Sequence, residues 1–242
     1  IFLDHNEIFN FKKNIEFQMF KNQDGEFDSS LKIKKSQKCI FLQTDNLMGR
    51  KEATRISKID KIDLAFVIPF LTGVFPGFYK WDSDTLIKLS NEKIKKSLNY
   101  CSDIVRSLKP KYTIPYACDL GYLGEKFHIN LIHRHNKQDL VKILKKKKIQ
   151  TNPVILNPGD WIKLSGNKTY MSTKNAKQYN QSESLIKFSN EMSEEYKKYK
   201  TKENLLNKPS LNKLTKVFVN NLKRNIRNSK SFNFKTFNNI QE

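Results

Sequence analysis

The chain lacks most of the residue patterns that announce a familiar chemistry. Cysteine occurs only three times in 242 residues, at Cys39, Cys101 and Cys118. An odd count without framework spacing argues against a disulfide scaffold and suits a reducing compartment. There is no Gly-rich phosphate loop, no Cys-x-x-Cys pair and no Gly-x-Ser-x-Gly elbow. A Rieske-type Cys-x-His pair is missing as well, so no iron–sulfur cluster is evident. Long hydrophobic runs are equally scarce. The longest, residues 64–78, is too short for a membrane span and is broken by Pro69, Gly73, Pro76 and Gly77. The opening Ile1-Phe2-Leu3-Asp4-His5 has neither the basic flank nor the apolar core of a signal peptide. These absences lead us to expect a cytoplasmic chain with no membrane partner. Because it begins with Ile, we also expect it to be a fragment of a longer chain.

Arginine and acidic residues are in short supply. Arg stands only at 50, 55, 106, 134, 224 and 227, and 45 Lys plus Arg outweigh 24 Asp plus Glu to give a formal charge of +21. A basic surface favours phosphate contact through counterion release. A dedicated phosphate reader would use more Arg, for its bidentate fork. The excess of Lys with abundant Asn, Ile, Phe and Tyr is also the composition of a chain from an AT-rich genome. Nucleic acid is therefore a possible partner and not the favoured one.

What is present is a core: 38% hydrophobic and 12% aromatic residues are ample for a folded domain. Residues 8–20 alternate apolar and polar, predicting one or two half-buried strands. Asn22-Gln23-Asp24-Gly25 reads as a turn, and Leu31-Lys32-Ile33 and Cys39-Ile40-Phe41-Leu42 as the next strand pair. Asp63 to Ile68 is continuously apolar after its first residue, the mark of a strand covered on both sides. Ile94, Leu98, Cys101, Val105 and Leu108 predict a helix over 90–108, with Ser90 as cap and Pro110 as stop. Tyr112 to Ala117 reads as a strand parallel to the Asp63 one, with Pro115 at an edge or at the strand's end. A basic amphipathic helix over 138–148, a strand at Val154-Ile155-Leu156 and a turn at Asn157-Pro158-Gly159-Asp160 follow. Beyond Ser165 the composition shifts to Lys, Asn and Ser with helical periodicity, and we read 166–242 as a helical appendage. The expected class is α/β, with hairpins first and helix crossovers after.

Ligands in such folds sit on loops outside the strand ends. Three ends stand out: Thr44-Asp45-Asn46, the Pro- and Gly-rich loop 69–78, and residues 116–119. A carboxylate such as Asp45 just past a buried strand is a helix cap, a turn former or a ligand. His133-Arg134-His135 sits in a polar stretch with Lys126 and Lys137 nearby, suited to a solvated surface or an anionic ligand; a metal clasp would need both imidazoles on one strand face.

Taken in order, "DGEFDSSLKI", a strand ending in "TDN", "KIDLAFVIPFLTGVFPGFYKW", "LNYCSDIVRSLKPKYTIPYACDLGY" and "NPGDWIKL" resemble the later part of the metallo-β-lactamase-fold family. The similarity is to the hydrolase-like region of the CMP-N-acetylneuraminate hydroxylases and, more distantly, to bacterial lactonase-like proteins. It covers roughly 15–165 and rests on order and spacing rather than on any one motif. The resemblance implies that 1–165 is the C-terminal portion of an αββα sandwich with a metal site along one sheet edge. It implies Asp45 as ligand to a divalent metal (zinc, manganese or iron), and a small-molecule or sugar-nucleotide substrate. Loops 70–78 and 116–122 would wall the pocket through Tyr116 and Tyr122, with His133, Arg134 and His135 meeting substrate phosphate. A departure is equally plain. The family's His-x-His-x-Asp-His motif is absent, and Cys118-Asp119 stands where a late metal His would fall. The competing expectation is a catalytically silent basic module for nucleic acid or acidic polysaccharide.

Overall fold

Residues 8–42 form the antiparallel hairpins that their alternation predicts. The strands are β1 (Ile8–Phe11), β2 (Ile15–Lys21), β3 (Ser29–Lys35) and β4 (Lys38–Leu42), with a 3-10 turn at Lys12–Asn14 between the first two. The structure, a computed structural model, describes residues 4–21, 28–44, 46–70, 76, 79–117, 122, 136–166, 168–174, 181–205, 216 and 219–220.

From β4 onward the sheet becomes parallel. Strands β5 (Leu64–Val67), β6 (Tyr112–Pro115) and β7 (Asn152–Pro153) add in chain order to make one seven-stranded mixed sheet. The crossovers carry helices α1 (Arg50–Ile59), α2 (Ser83–Leu108) and α3 (Lys137–Lys146). Pro115 is the last residue of β6, where its missing N–H costs the ladder nothing. All three helices cover one face. Ala53 and Ile56 of α1, Cys101, Ile104 and Val105 of α2, and Leu140 and Leu144 of α3 share a core with Phe20, Phe41, Ala65 and Val67.

The register puts Phe17, Ile33, Ile40, Leu64 and Tyr112 in one row on the opposite face. Part of that face is covered by a second, two-stranded sheet of β8 (Trp161–Ser165) and β9 (Lys168–Ser172). Its Ile162 and Leu164 pack on Leu64, Ile114 and Val154. The layers are thus helices, a seven-stranded sheet and a short second sheet. Toward β1, the same face continues through Phe9 and Phe11, whose ring centroids each lie 6.5 Å from that of Phe17. Phe9 and Phe17 are half-buried, and Phe11 is exposed.

Several elements depart from expectation. Helix α2 starts at Ser83, not Ser90, because the Asp82 side chain accepts the Thr85 N–H at 2.8 Å and caps it there. Ser90 lies buried inside the helix instead. Helix α1 has no counterpart among the expected elements, since few apolar residues mark its buried stripe. The last parallel strand falls two residues before the expected 154–156. Residues 168–172, assigned by composition to a helical tail, form a strand because 161–165 offers them an antiparallel partner. The turn at Asn157 to Asp160 forms where its residue types predict: Gly159 takes φ +89° and Asp160 N–H donates to Asn157 O at 2.9 Å.

The chain divides into two compact units, 1–191 and 192–242. A last helix, α4 (Gln181–Leu205), begins in the first unit and runs into the second, where Lys197–Glu194 and Lys198–Glu195 pair along its surface. The periodic residues Leu211, Leu214 and Phe218 fall outside the described residues, as does the turn at 22–25. No described helix is long and apolar enough to cross a membrane.

Candidate functional site

Strands β4, β5 and β6 run parallel, so their C-terminal ends open on one edge of the sheet, where α/β folds place ligands. The backbone hydrogen bonds of the ladder continue past the last strand residues. Gln43 N–H donates to Phe66 O at 3.0 Å and Tyr116 N–H to Val67 O at 3.0 Å.

Side chains then lock the exits together. Gln43 is almost completely buried; its Nε2 donates to Asn46 O at 3.3 Å and its Oε1 accepts the Ile68 N–H at 3.3 Å. Ser30 Oγ donates to Gln43 O at 2.7 Å. The phenol of Tyr116 accepts the Thr44 N–H at 2.8 Å, and its ring stands edge-on to Phe66 with centroids 6.0 Å apart. Thr44 Oγ1 donates to Ser29 O, and Asn46 Nδ2 donates to Phe20 O at 2.8 Å. Position 45 therefore has both chain neighbours pinned by contacts from β2, β3 and β6.

Two backbone conformations mark the same edge. Thr44 has φ +52° and Ala117 φ +53°, the left-handed region that side-chain-bearing residues avoid and a β-branched residue most of all. Such strain concentrates at functional sites. Beside it, Asn46 is 1% exposed and its Oδ1 has no hydrogen-bond partner. A buried amide oxygen left unpaired costs about 1–3 kcal/mol, so it is a feature to be explained rather than expected.

Of the residues singled out from sequence, Tyr116 is built into this edge, and Tyr122 is half-buried. Asp45, His133, Arg134 and His135 lie outside the described residues, as do Cys118, Asp119 and most of loop 69–78. Among the described residues no group of three or more His, Cys, Asp or Glu could hold a metal ion. The oxygen donors at this strand end are Asp45, by its place in the chain, and Asn46 Oδ1, which has no hydrogen-bond partner. Two oxygen donors suit a hard or borderline divalent cation but do not complete its shell.

From sequence, Asn46 stands out only as part of the strand end 44–46, and Gln43 not at all. Their signal is present all the same, since amides directly after a fully apolar strand must find partners if the strand end is covered. No protein-family model matches the chain, and no curated protein matches it either.

Proposed function

We propose that this chain forms one α/β layer of a metallo-β-lactamase-like hydrolase acting on a sugar or sugar-nucleotide type substrate, with Asp45 as a metal ligand. The observation that carries the reading is the locked edge at Thr44 and Asn46. Thr44 and Asn46, the two chain neighbours of Asp45, are each held by tertiary hydrogen bonds, and Thr44 is in a strained conformation, which supports reading this strand end as a ligand position.

The layering supports the same reading. Helices cover one face of the sheet, and the other is apolar and carries the beginning of a second sheet. An αββα sandwich would extend that second sheet over Phe9, Phe11 and Phe17.

Asp45 would help to hold a divalent ion, whose chemistry when bound would be activation of a water toward an ester, lactone or phosphodiester. The chain's own residues set the stage for it. Tyr116 holds the Thr44 amide in place and walls the site with its ring, while Asn46 keeps a free oxygen in the protein interior beside position 45. The remaining ligands must come from residues beyond those described.

The reading is tested by assaying the zinc- and manganese-loaded chain against bis(p-nitrophenyl) phosphate, an acyl-homoserine lactone and a CMP-sugar. We expect turnover on at least one that Asp45→Ala abolishes without lowering Tm. Turnover equal in native and variant chains would overturn the assignment of Asp45.

A further inference from the structure

At the other end of the parallel strands the sheet carries a second feature, unconnected with the first. Asp63 precedes β5 and Ile68 follows it, five residues on, which separates the two sheet edges by about 16 Å at ~3.3 Å per strand residue. Here the β3–β4 turn, the loops leading into β5 and β6, and the β8–β9 turn line an open cavity of about 900 Å³. Its charged lining is Lys35, Lys38, Lys61 and Lys111 against the single carboxylate of Asp63.

That carboxylate is already engaged on both oxygens. Oδ1 accepts from Lys38 Nζ at 3.1 Å, and Oδ2 accepts the Cys39 backbone N–H at 3.0 Å. Lys35, Lys61 and Lys111 have no carboxylate partner among the described residues, although Lys111 lies 5.2 Å from the centroid of the Tyr112 ring. Three lysines without a carboxylate partner among the described residues thus line one concavity, contributed by three separate connections of the chain. Two other lysines brought close together, Lys32 and Lys34, share Asp60. Charges within a Debye length of about 8–10 Å repel one another unless an anion or counterions sit between them.

We infer that this cavity binds a multivalent phosphate anion, the oligophosphate chain of a small ligand. Lys35, Lys61 and Lys111 act as point charges with rotatable donors, so they select the number of negative charges rather than a planar geometry. Ser36 and Ser165, which also line the cavity, add hydroxyl donors at the rim. A concavity lined by four connections of the chain suits a compact ligand better than the continuous groove that tracks a nucleic-acid backbone.

The test is calorimetric titration of the chain with inorganic orthophosphate, pyrophosphate and tripolyphosphate at low and at physiological salt. Binding should strengthen in that order and weaken with salt. Lys61→Gln with Lys111→Gln should weaken tripolyphosphate binding by about a hundredfold, at roughly tenfold for each charge-assisted hydrogen bond removed. The surface pair Lys197→Gln with Lys198→Gln should leave it unchanged. Should the cavity variant misfold, lysine acetylation read by mass spectrometry replaces it, with tripolyphosphate protecting Lys35, Lys61 and Lys111 in the native chain. No binding, equal weakening by both variant pairs, or unprotected cavity lysines would each overturn the inference. So would a single-stranded 20-mer oligonucleotide that binds at the cavity lysines while tripolyphosphate fails to displace it. Asp45→Ala should not affect this binding, which keeps the outcome separate from that of the hydrolase reading.

Discussion

The phenol of Tyr116 accepts the backbone N–H of Thr44 at 2.8 Å, joining the exits of β6 and β4 across 72 residues of sequence. The bond holds the backbone of Thr44, whose φ is strained. Tyr116→Phe keeps the ring contact with Phe66 but leaves that N–H unpaired. We expect a loss of about 1–2 kcal/mol in urea denaturation, the cost of one orphaned, partly buried donor. Amide exchange at Thr44 should also accelerate. An unchanged exchange rate would show that the phenol does not hold the edge.

A buried ion cluster supports the other end of α1. Asp60 caps that helix, and Lys32, with its side chain 4% exposed, pairs with it from β3, while Lys34 Nζ lies 2.8 Å from its second oxygen. Removing one partner of a buried pair costs about 3–5 kcal/mol, and the remaining Lys34 keeps the loss near the lower figure. Lys32→Ala should therefore destabilise by about 3 kcal/mol. Lys32→Met should recover much of that by filling the volume. Equal losses in both would assign the effect to charge alone.

The same cluster makes stability depend on pH at both extremes. Burial acts to raise the Asp60 pKa, but hydrogen bonds from Lys32 and Lys34 outweigh it and hold the carboxyl below its usual value of 3.8. A depressed acid stabilises the fold above its unfolded pKa, and that contribution disappears as pH falls through the folded pKa. Lys34 is shifted the opposite way, raised above 10.5 by its hydrogen bond to Asp60. Its contribution is complete below 10.5 and lost as pH rises through the folded value. Melting temperature should fall below about pH 4 and above about pH 10.5, the ordinary carboxylate and lysine ranges. In Asp60→Asn both limbs should be shallower.

Cys39 lies in the core at 2% exposure, and its thiol is pushed up to about 12, chiefly by burial and then by Asp60. The thiolate is the reactive form, so Cys39 should resist alkylation at pH 8 until the chain unfolds. Peptide mapping after iodoacetamide treatment in native buffer and in 6 M guanidinium checks this. Labelling of Cys39 in the native chain would contradict the buried placement.

How far the sequence disclosed this architecture varies with the kind of signal. Alternation in 8–20 and the apolar run at 64–68 marked their strands because each was long enough for its period to register. The Asn157-Pro158-Gly159-Asp160 turn was legible because its residue types are those that the required φ angles demand. Leu31-Lys32-Ile33 showed the strand but hid its orientation. The alternation places Lys32 toward solvent, yet the helices cover that face, and Asp60, 28 residues away, makes the burial tolerable. Helix α1 escaped because Ala53 and Ile56 are almost its whole apolar stripe. At the candidate site, Asp45 and Tyr116 could be picked out as strand-end residues. The left-handed Thr44 could not, because nothing local favours a β-branched residue there and only tertiary contacts hold it.

The most direct test of the account is the metal content of the purified chain and of Asp45→Ala, measured by inductively coupled plasma mass spectrometry after incubation with zinc, manganese and ferrous iron and removal of the excess. We predict stoichiometric retention of one divalent metal by the native chain and its loss from the variant, with both chains melting at the same temperature. A native chain that retains no metal, or a variant that retains as much, would contradict the assignment of Asp45 as a metal ligand and the hydrolase reading built on it.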